Sequence, residues 1–208
     1  MTKILIEEIE MISRTIKGLI LSLLMTFSAT TVVAEDGSIL DKLSAVDGTQ
    51  ALIAAVLVVD ESMELEFSIA EGLDSIDDLV LLAPTNPAFE ALLRLEPGFL
   101  NGLSVTEVQE ALPSILDPLG LTVSDVINIL LLHVGQLEEV DESTAGADAL
   151  LMSGGVSVAG SSEPLPVSLG GEGVRINYEA NVIKSDVFAD NGVIHYIDTV
   201  LVGDLLMP

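Results

Sequence analysis

The chain has 208 residues, half of them apolar, and it carries 33 acidic residues against 7 basic ones, for a net charge of −26. Nucleic acid and anionic lipid are recognised through clusters of Lys and Arg, so this composition excludes them as partners. The sequence contains no cysteine, which excludes a disulfide framework and a lipid anchor on a cysteine.

The first predicted element is a secretory signal at residues 1–34. Arg14 and Lys17 precede an apolar run, Gly18–Phe27, and small residues follow it up to Ala34. The run is shorter than the ~20 apolar residues that a membrane-spanning helix needs.

Three glutamates stand before Met11, and the basic front that a signal requires begins only after it, so we predict Met11 as the true start. Cleavage after Ala34 leaves one domain, 35–208, which keeps the whole net charge. We expect a secreted or periplasmic product with no stable membrane insertion after cleavage. The lack of cysteine and of an Asn-x-Ser/Thr glycosylation acceptor favours a bacterial source.

The next predicted elements are a helix and a strand. Thr49 is placed to cap a helix whose apolar residues, Leu52, Ile53 and Val56 among them, go nearly all round it, which predicts a buried helix. The apolar run Leu79–Ala83 predicts a buried central strand.

A strand stop and a helix start follow that strand directly. Pro84 ends the strand, Thr85 or Asn86 can accept from the free amides of a new helix, and Pro87 suits its first position. Phe89 begins the apolar pattern of this helix.

Two further helices are predicted from their caps. Ser104 with Glu107 is a capping-box pattern. Thr122 or Ser124 begins the other helix, with His133 in its last turn, where a cation would meet the negative end of the helix dipole. The acidic segment Glu138–Asp148 is predicted to be a loop.

Beyond Ala149 the apolar residues alternate, which predicts antiparallel strands. Asn191-Gly192 predicts a tight turn, and Val193–Val202 is predicted to be the longest strand. Helices followed by a sheet, with one strand contributed by the first half, predict a single α+β domain.

The two histidines are interpreted as buried side chains whose ring nitrogens bond to backbone carbonyls. His133 and His195 alone would leave a zinc site short of ligands, so we predict no metal, no cofactor and no enzyme activity. Asp198 is expected to bond to backbone or to a neighbouring loop. Asp190-Asn191-Gly192 lacks the spacing of a calcium loop. The acidic loop Glu138–Asp148 is interpreted as a solvated surface, with weak calcium binding as the alternative.

Three separated patches resemble the fasciclin-like domain family. Leu81–Phe89, Leu-Leu-Ala-Pro-Thr-Asn-Pro-Ala-Phe, is similar to its first signature box, and Leu131–Val134 is similar to its central Tyr-His region. Asp186–Leu201, which contains Asp-Asn-Gly-Val-Ile-His-Tyr-Ile-Asp, is similar to its second box. The resemblance implies a wedge-shaped antiparallel β-structure flanked by helices.

The resemblance also implies binding residues, because animal members use an Asp-Ile pair and the Tyr-His region in integrin recognition. Asp186-Val187 and Leu132-His133 stand at those positions, and each pair departs from the family pattern by one residue, so integrin recognition is not carried over. The remaining signature residues are interpreted as structural: Pro84, Thr85, Asn86, Phe89, Asn191, Gly192, His195 and Asp198.

Two functions are carried forward from the sequence. The first is a secreted, non-enzymatic module for cell adhesion or extracellular-matrix and biofilm interaction, whose partner is a protein or a matrix or cell-surface component. The second is a periplasmic or extracellular carrier of a small apolar ligand, suggested by the aliphatic excess. The sequence predicts neither the oligomeric state nor the identity of the partner.

Overall fold

The computed structural model describes residues 37–62, 68–137, 145–171 and 173–203. The predicted signal and most of the predicted acidic loop lie outside the described residues. The helices are α1 (Ile39–Ser44), α2 (Gln50–Ser62), α3 (Ile69–Ser75), α4 (Asn86–Leu92), α5 (Val105–Leu116), a short 3-10 helix (Asp117–Leu119), α6 (Val123–Leu131) and α7 (Ala147–Ser153). The strands are β1 (Leu79–Pro84), β2 (Val134–Gln136), β3 (Gly155–Val156), β4 (Leu165–Gly170), β5 (Gly173–Ile176), β6 (Ala180–Ala189) and β7 (Gly192–Ile197).

The strands form a sheet in the order β2-β1-β7-β6-β5-β4-β3. β1 pairs in parallel with β7, and the other pairs are antiparallel. All six residues of β1 are buried, as is typical of a strand covered on both faces. The α+β fold is confirmed, including the strand that the first half contributes to the sheet.

Two apolar clusters cover the two faces of the sheet. Alternate residues of a strand point to opposite faces, so Leu81 and Tyr196 belong to the cluster shared with the helices, whereas Leu82 and Ile197 belong to the other cluster. The predicted burial of α2 is confirmed, since eight of its residues are buried: Ala51, Leu52, Ile53, Ala54, Ala55, Val56, Val58 and Val59.

Helix starts in this chain use its acidic residues. The predicted capping box of Ser104 and Glu107 is present at α5, and Thr122 forms one with Asp125 at α6. The hydrogen bonds from Ser104 and Thr122 lower the pKa of the Glu107 and Asp125 carboxyls. An acid in the first turn faces the positive end of the helix dipole, so these carboxylates stabilise the helices that they begin.

Three local predictions are wrong. Thr49 donates its hydroxyl to the carbonyls of Leu43 and Val46, at 2.9 and 3.0 Å, instead of capping α2. Helix α7 begins at Ala147, inside the predicted acidic loop. The longest strand is β6, not the predicted strand Val193–Val202. Two irregularities in the pairing of β6 with β7 interrupt the alternation of apolar residues, and the strand predictions depend on that alternation.

Candidate functional site

Asn86 ties the first signature box to a neighbouring helix. Its side chain is 1% exposed, and Oδ1 accepts from the amide of Ala51 in the first turn of α2 at 3.1 Å, while Nδ2 donates to Gln50 Oε1 at 2.8 Å. Thr85 stands at the N-cap of α4 and makes no capping bond through its side chain among the described residues. The predicted local cap is therefore wrong, because Asn86 caps α2 instead of its own helix.

Asn191 ties the second box to two helices. Its Oδ1 accepts from the amide of Ile39 at 2.8 Å, and its Nδ2 donates to the carbonyls of Leu73 and Ile76, both at 3.0 Å. A Cβ on Gly192 would lie 2.2 Å from the carbonyl oxygen of Leu79. A tight turn is present, but it lies one residue earlier than predicted, at Asp190 and Asn191, because Gly192 already belongs to β7 and pairs with Ala189.

The His133 ring is buried between two backbone groups. Nδ1 donates to the carbonyl of Ile129 at 2.7 Å, and Nε2 accepts from the amide of Leu201 at 3.0 Å, which fixes the neutral tautomer. Burial lowers the pKa of His133 to about 4. Helix α6 ends at Leu131, so the predicted cation in the last turn of this helix is wrong, whereas the predicted bond to backbone is present.

The His195 ring is held in the opposite tautomer. Nε2 donates to the carbonyl of Ala145 at 2.9 Å, and Nδ1 accepts from the amide of Asp186 at 3.4 Å. Burial lowers the pKa of His195, although the bond to Ala145 and the Asp186 charge both act to raise it. The ring therefore links β7, β6 and the residue two positions before α7.

Asp186 has an unusual backbone and a defined set of bonds. It lies within β6 with φ of 61°, a value that few residues other than glycine adopt. Its Oδ1 accepts from the amide of Ala147 at 2.8 Å, and Oδ2 accepts from the hydroxyl of Ser185 at 2.6 Å. Because Gly146, at the N-cap of α7, has no side chain, the Asp186 carboxylate supplies the missing acceptor.

The predicted binding pairs lie in one row across the sheet. The amide of Leu82 donates to the His133 carbonyl at 2.9 Å, Leu82 stands opposite His195 in the β1–β7 pairing, and His195 accepts from Asp186. Three strand spacings separate the two ends of this row, roughly 14 Å. Leu132 and His133 are buried, Val187 is half-buried, and Asp186 is exposed, so the surface is reached at the β6 end.

The other signature residues have structural contacts. Asp198 accepts from the amide and from Nδ2 of Asn181, both at 2.8 Å, so the predicted bond to backbone is present, with a partner on strand β6. Burial alone would raise the pKa of Asp198, but bonds from Asn181 and Thr199 outweigh it and the pKa is lowered. Pro84 is buried beside Ile197, and Phe89 is buried in the helical core.

No group of three or more His, Asp or Glu side chains is arranged to hold a metal ion within the part of the chain that the structure describes. Across the same ranges no single helix is long and apolar enough to cross a membrane. The segment formed by α5 and the 3-10 helix reaches that length and composition only when it is combined with α6, and the two parts are bent by 102° relative to each other.

The signature residues described above lie within a region that matches a known protein family. The fasciclin domain model matches residues 65–203, which is more than half of the chain. The fold is similar to a FAS1 domain pair from the insect cell adhesion molecule fasciclin I, with a TM-score of 0.53 and 15% identity over 81% of this chain and 51% of that one. The chain thus corresponds to about half of that structure. The search of curated proteins gave no match. Because the family model spans both signature boxes and the region between them, the chain belongs to the fasciclin domain family.

Proposed function

We propose that the protein is a secreted, non-enzymatic binding module that acts in adhesion at a bacterial cell surface or in its extracellular matrix. Family membership supports this, since fasciclin domains are generally adhesion-related binding modules and are typically extracellular. The predicted signal at 1–34 supports secretion. Both histidines are neutral and bonded to backbone, which leaves neither ready to act as a general acid or base.

The observation that carries the proposal is the exposed Asp186 carboxylate on β6, at φ of 61°. A non-glycine residue in this region costs free energy, and such positions persist where surrounding contacts hold them, often at functional sites. His195 and Ala147 hold Asp186 here. We place the partner contact at exposed Asp186 and half-buried Val187. Leu132 and His133 lie buried at the other end of the same row across the sheet, where they support it from inside the fold.

Surface attachment by the source organism tests this proposal. A strain that lacks the gene should attach poorly and recover with the wild-type gene. Asp186→Asn keeps a side chain that tolerates positive φ but removes the charge, so it should restore attachment only in part. Glu110→Gln, at an exposed position of α5, removes the same charge elsewhere and should restore it fully. Unchanged attachment, aggregation and biofilm in the deletion strain would refute the proposed function.

The alternative, a carrier that buries a small apolar ligand inside the helical core, has less support. The apolar cavity in the helical core lined by Phe89, Leu112 and Ile129 has a volume of about 30 Å³. A dry cavity that binds benzene is roughly five times larger, ~150 Å³. Native mass spectrometry of gently purified protein distinguishes the two, because a carrier should retain a stoichiometric ligand.

A further inference from the structure

A groove of about 380 Å³ lies on the face of β7 opposite to His195. The loop between α1 and α2 forms one side, and the β1–α4 junction and the β6–β7 pair form the others. Its lining is largely apolar, with Val46, Pro87 and Ile183. The volume falls within the range of small-molecule sites, and the groove contains neither Asp186 nor His195.

Lys184 provides the positive charge of this groove. Its ammonium nitrogen lies 5.3 Å from the centroid of the Tyr196 ring, and the two residues stand opposite each other where the β6–β7 register shifts. Among the described residues Lys184 makes no hydrogen bond or ion pair with a carboxylate. The chain has 33 acidic and 7 basic residues, so an ammonium group without a carboxylate partner is unusual in it. The three N–H donors of Lys184 are therefore available to another acceptor.

Tyr196 provides a second donor. The side chain is 3% exposed, and its hydroxyl is buried without a hydrogen-bond partner in the described ranges. Buried tyrosine hydroxyls usually have a partner. Burial raises the pKa of Tyr196, so the hydroxyl stays protonated at neutral pH and can donate.

We propose that this groove binds a small monocarboxylic acid with an apolar body. The carboxylate accepts from the Lys184 ammonium and the Tyr196 hydroxyl, which together match its two oxygens. The apolar body packs against Val46, Pro87 and Ile183. Lys184 is exposed and flexible, so it can move off the ring to admit the carboxylate while it keeps its charge beside it.

Asp47 limits which acids the groove accepts. It is exposed and lines the same groove, so its carboxylate repels a second acidic group on the ligand. The groove therefore favours monocarboxylates over dicarboxylates of the same length. It also disfavours the uncharged amides, whose carbonyl oxygen accepts from Lys184 without the attraction between opposite charges.

The chain is suited to a direct test, because it has two tyrosines and no tryptophan. Tyr178→Phe leaves Tyr196 as the one tyrosine, so its emission reports the groove. Octanoate should change this emission saturably at millimolar concentration or below. Octanamide and octanedioate should each bind at least ~10-fold more weakly, because the amide loses the ion pair with Lys184 and the second carboxylate of the diacid is repelled by Asp47.

Two further variants identify the donors. In the same background, Lys184→Met should weaken octanoate at least ~10-fold, whereas Lys42→Met, the same charge change outside the groove, should leave it unchanged. Tyr196→Phe, measured by calorimetry, should weaken octanoate ~5-fold. No saturable response to octanoate, equal binding of octanamide, or equal effects of the two lysine variants would overturn the proposal. None of these results depends on attachment, so the adhesion proposal is tested separately.

Discussion

Nδ1 of His195 accepts a hydrogen bond from the backbone amide of Asp186, while Nε2 of the same ring donates to the carbonyl of Ala145. A protonated ring would place two N–H groups against each other at Nδ1, so the native arrangement requires a neutral imidazole. His133 meets the same condition between the Ile129 carbonyl and the Leu201 amide. Both histidines of the chain are therefore built into the fold in the neutral form.

Stability should fall as the pH is lowered through the histidine range. The folded pKa of His133 is about 4, below the unfolded value of 6.5, because burial disfavours the charged ring. Above 6.5 both states are neutral and the full stability is present, whereas between 6.5 and 4 the unfolded chain takes up a proton that the folded chain does not. The free energy of unfolding should drop by about 3 kcal/mol over this window from His133 alone.

Urea denaturation at pH 7 and pH 5 measures this drop. Acidification also relieves the repulsion among the many carboxylates, which acts in the opposite direction, so the comparison must be made against a variant. His133→Gln should be less stable at pH 7 and should lose less stability between the two pH values. An identical pH dependence in wild type and variant would show that His133 is not the titrating group.

Substitutions at Asp186 should separate backbone strain from the bond to Ala147. Asp186→Gly loses the carboxylate acceptor but relieves the positive φ, and we expect a loss of ~1 kcal/mol or less. Asp186→Ala loses the same acceptor and keeps the strain that wild type already has, so we expect a loss of ~1–2 kcal/mol. Chemical denaturation of both variants measures the difference. Equal stability of the two would mean that the φ of 61° costs no more than the chain entropy of glycine, ~0.5–1 kcal/mol.

How far the sequence predicts this molecule depends on how local each contact is. The capping box of Ser104 and Glu107 needs residues three positions apart, and it was predictable from the sequence. Asn86 looked like a cap for the helix that follows it, but its acceptor is used by Ala51, 35 positions earlier. Only the packing of α4 against α2 brings these groups together, and the apolar spacing of the sequence does not predict that packing.

The candidate sites show the same limit. The resemblance located Asp186, but its positive φ and its role at the start of α7 depend on an irregular β6 that the alternating pattern did not predict. Lys184 and Tyr196 were not singled out at all, because they are 12 positions apart and meet only through strand pairing. The rarity of basic residues in so acidic a chain was the one available signal.

Gly192 should tolerate no side chain. A Cβ there would lie 2.2 Å from the Leu79 carbonyl oxygen and 2.9 Å from the Ile39 side chain, and a backbone oxygen in a parallel strand pair cannot move aside cheaply. Gly192→Ala should therefore cost ~3 kcal/mol or more. Gly171→Ala is the control, because no described atom lies within 4 Å of its added Cβ, and it should change stability by less than ~0.5 kcal/mol. Thermal unfolding of the two variants should differ clearly, and similar melting temperatures would contradict the close approach.

The turn between β5 and β6 holds a tyrosine in a conformation that favours glycine. The amide of Glu179 donates to the carbonyl of Ile176 at 3.0 Å, and the two central residues, Asn177 and Tyr178, have φ of 51° and 58°. Positive φ at both positions is typical of a type I′ turn, in which asparagine followed by glycine is the favoured pair. Tyr178 is 67% exposed, so packing recovers little of the cost.

Tyr178→Gly should accordingly stabilise the protein by about 1 kcal/mol. Glycine relieves the left-handed strain, and its greater chain entropy in the unfolded state offsets part of that gain. Tyr178→Ala removes the same ring but keeps a Cβ at φ of 58°, so it should be neutral or destabilising. The difference between these two variants in urea denaturation isolates the backbone term from the loss of the ring. If the glycine variant is no more stable than the alanine variant, the left-handed strain at Tyr178 does not exceed the greater chain entropy of glycine.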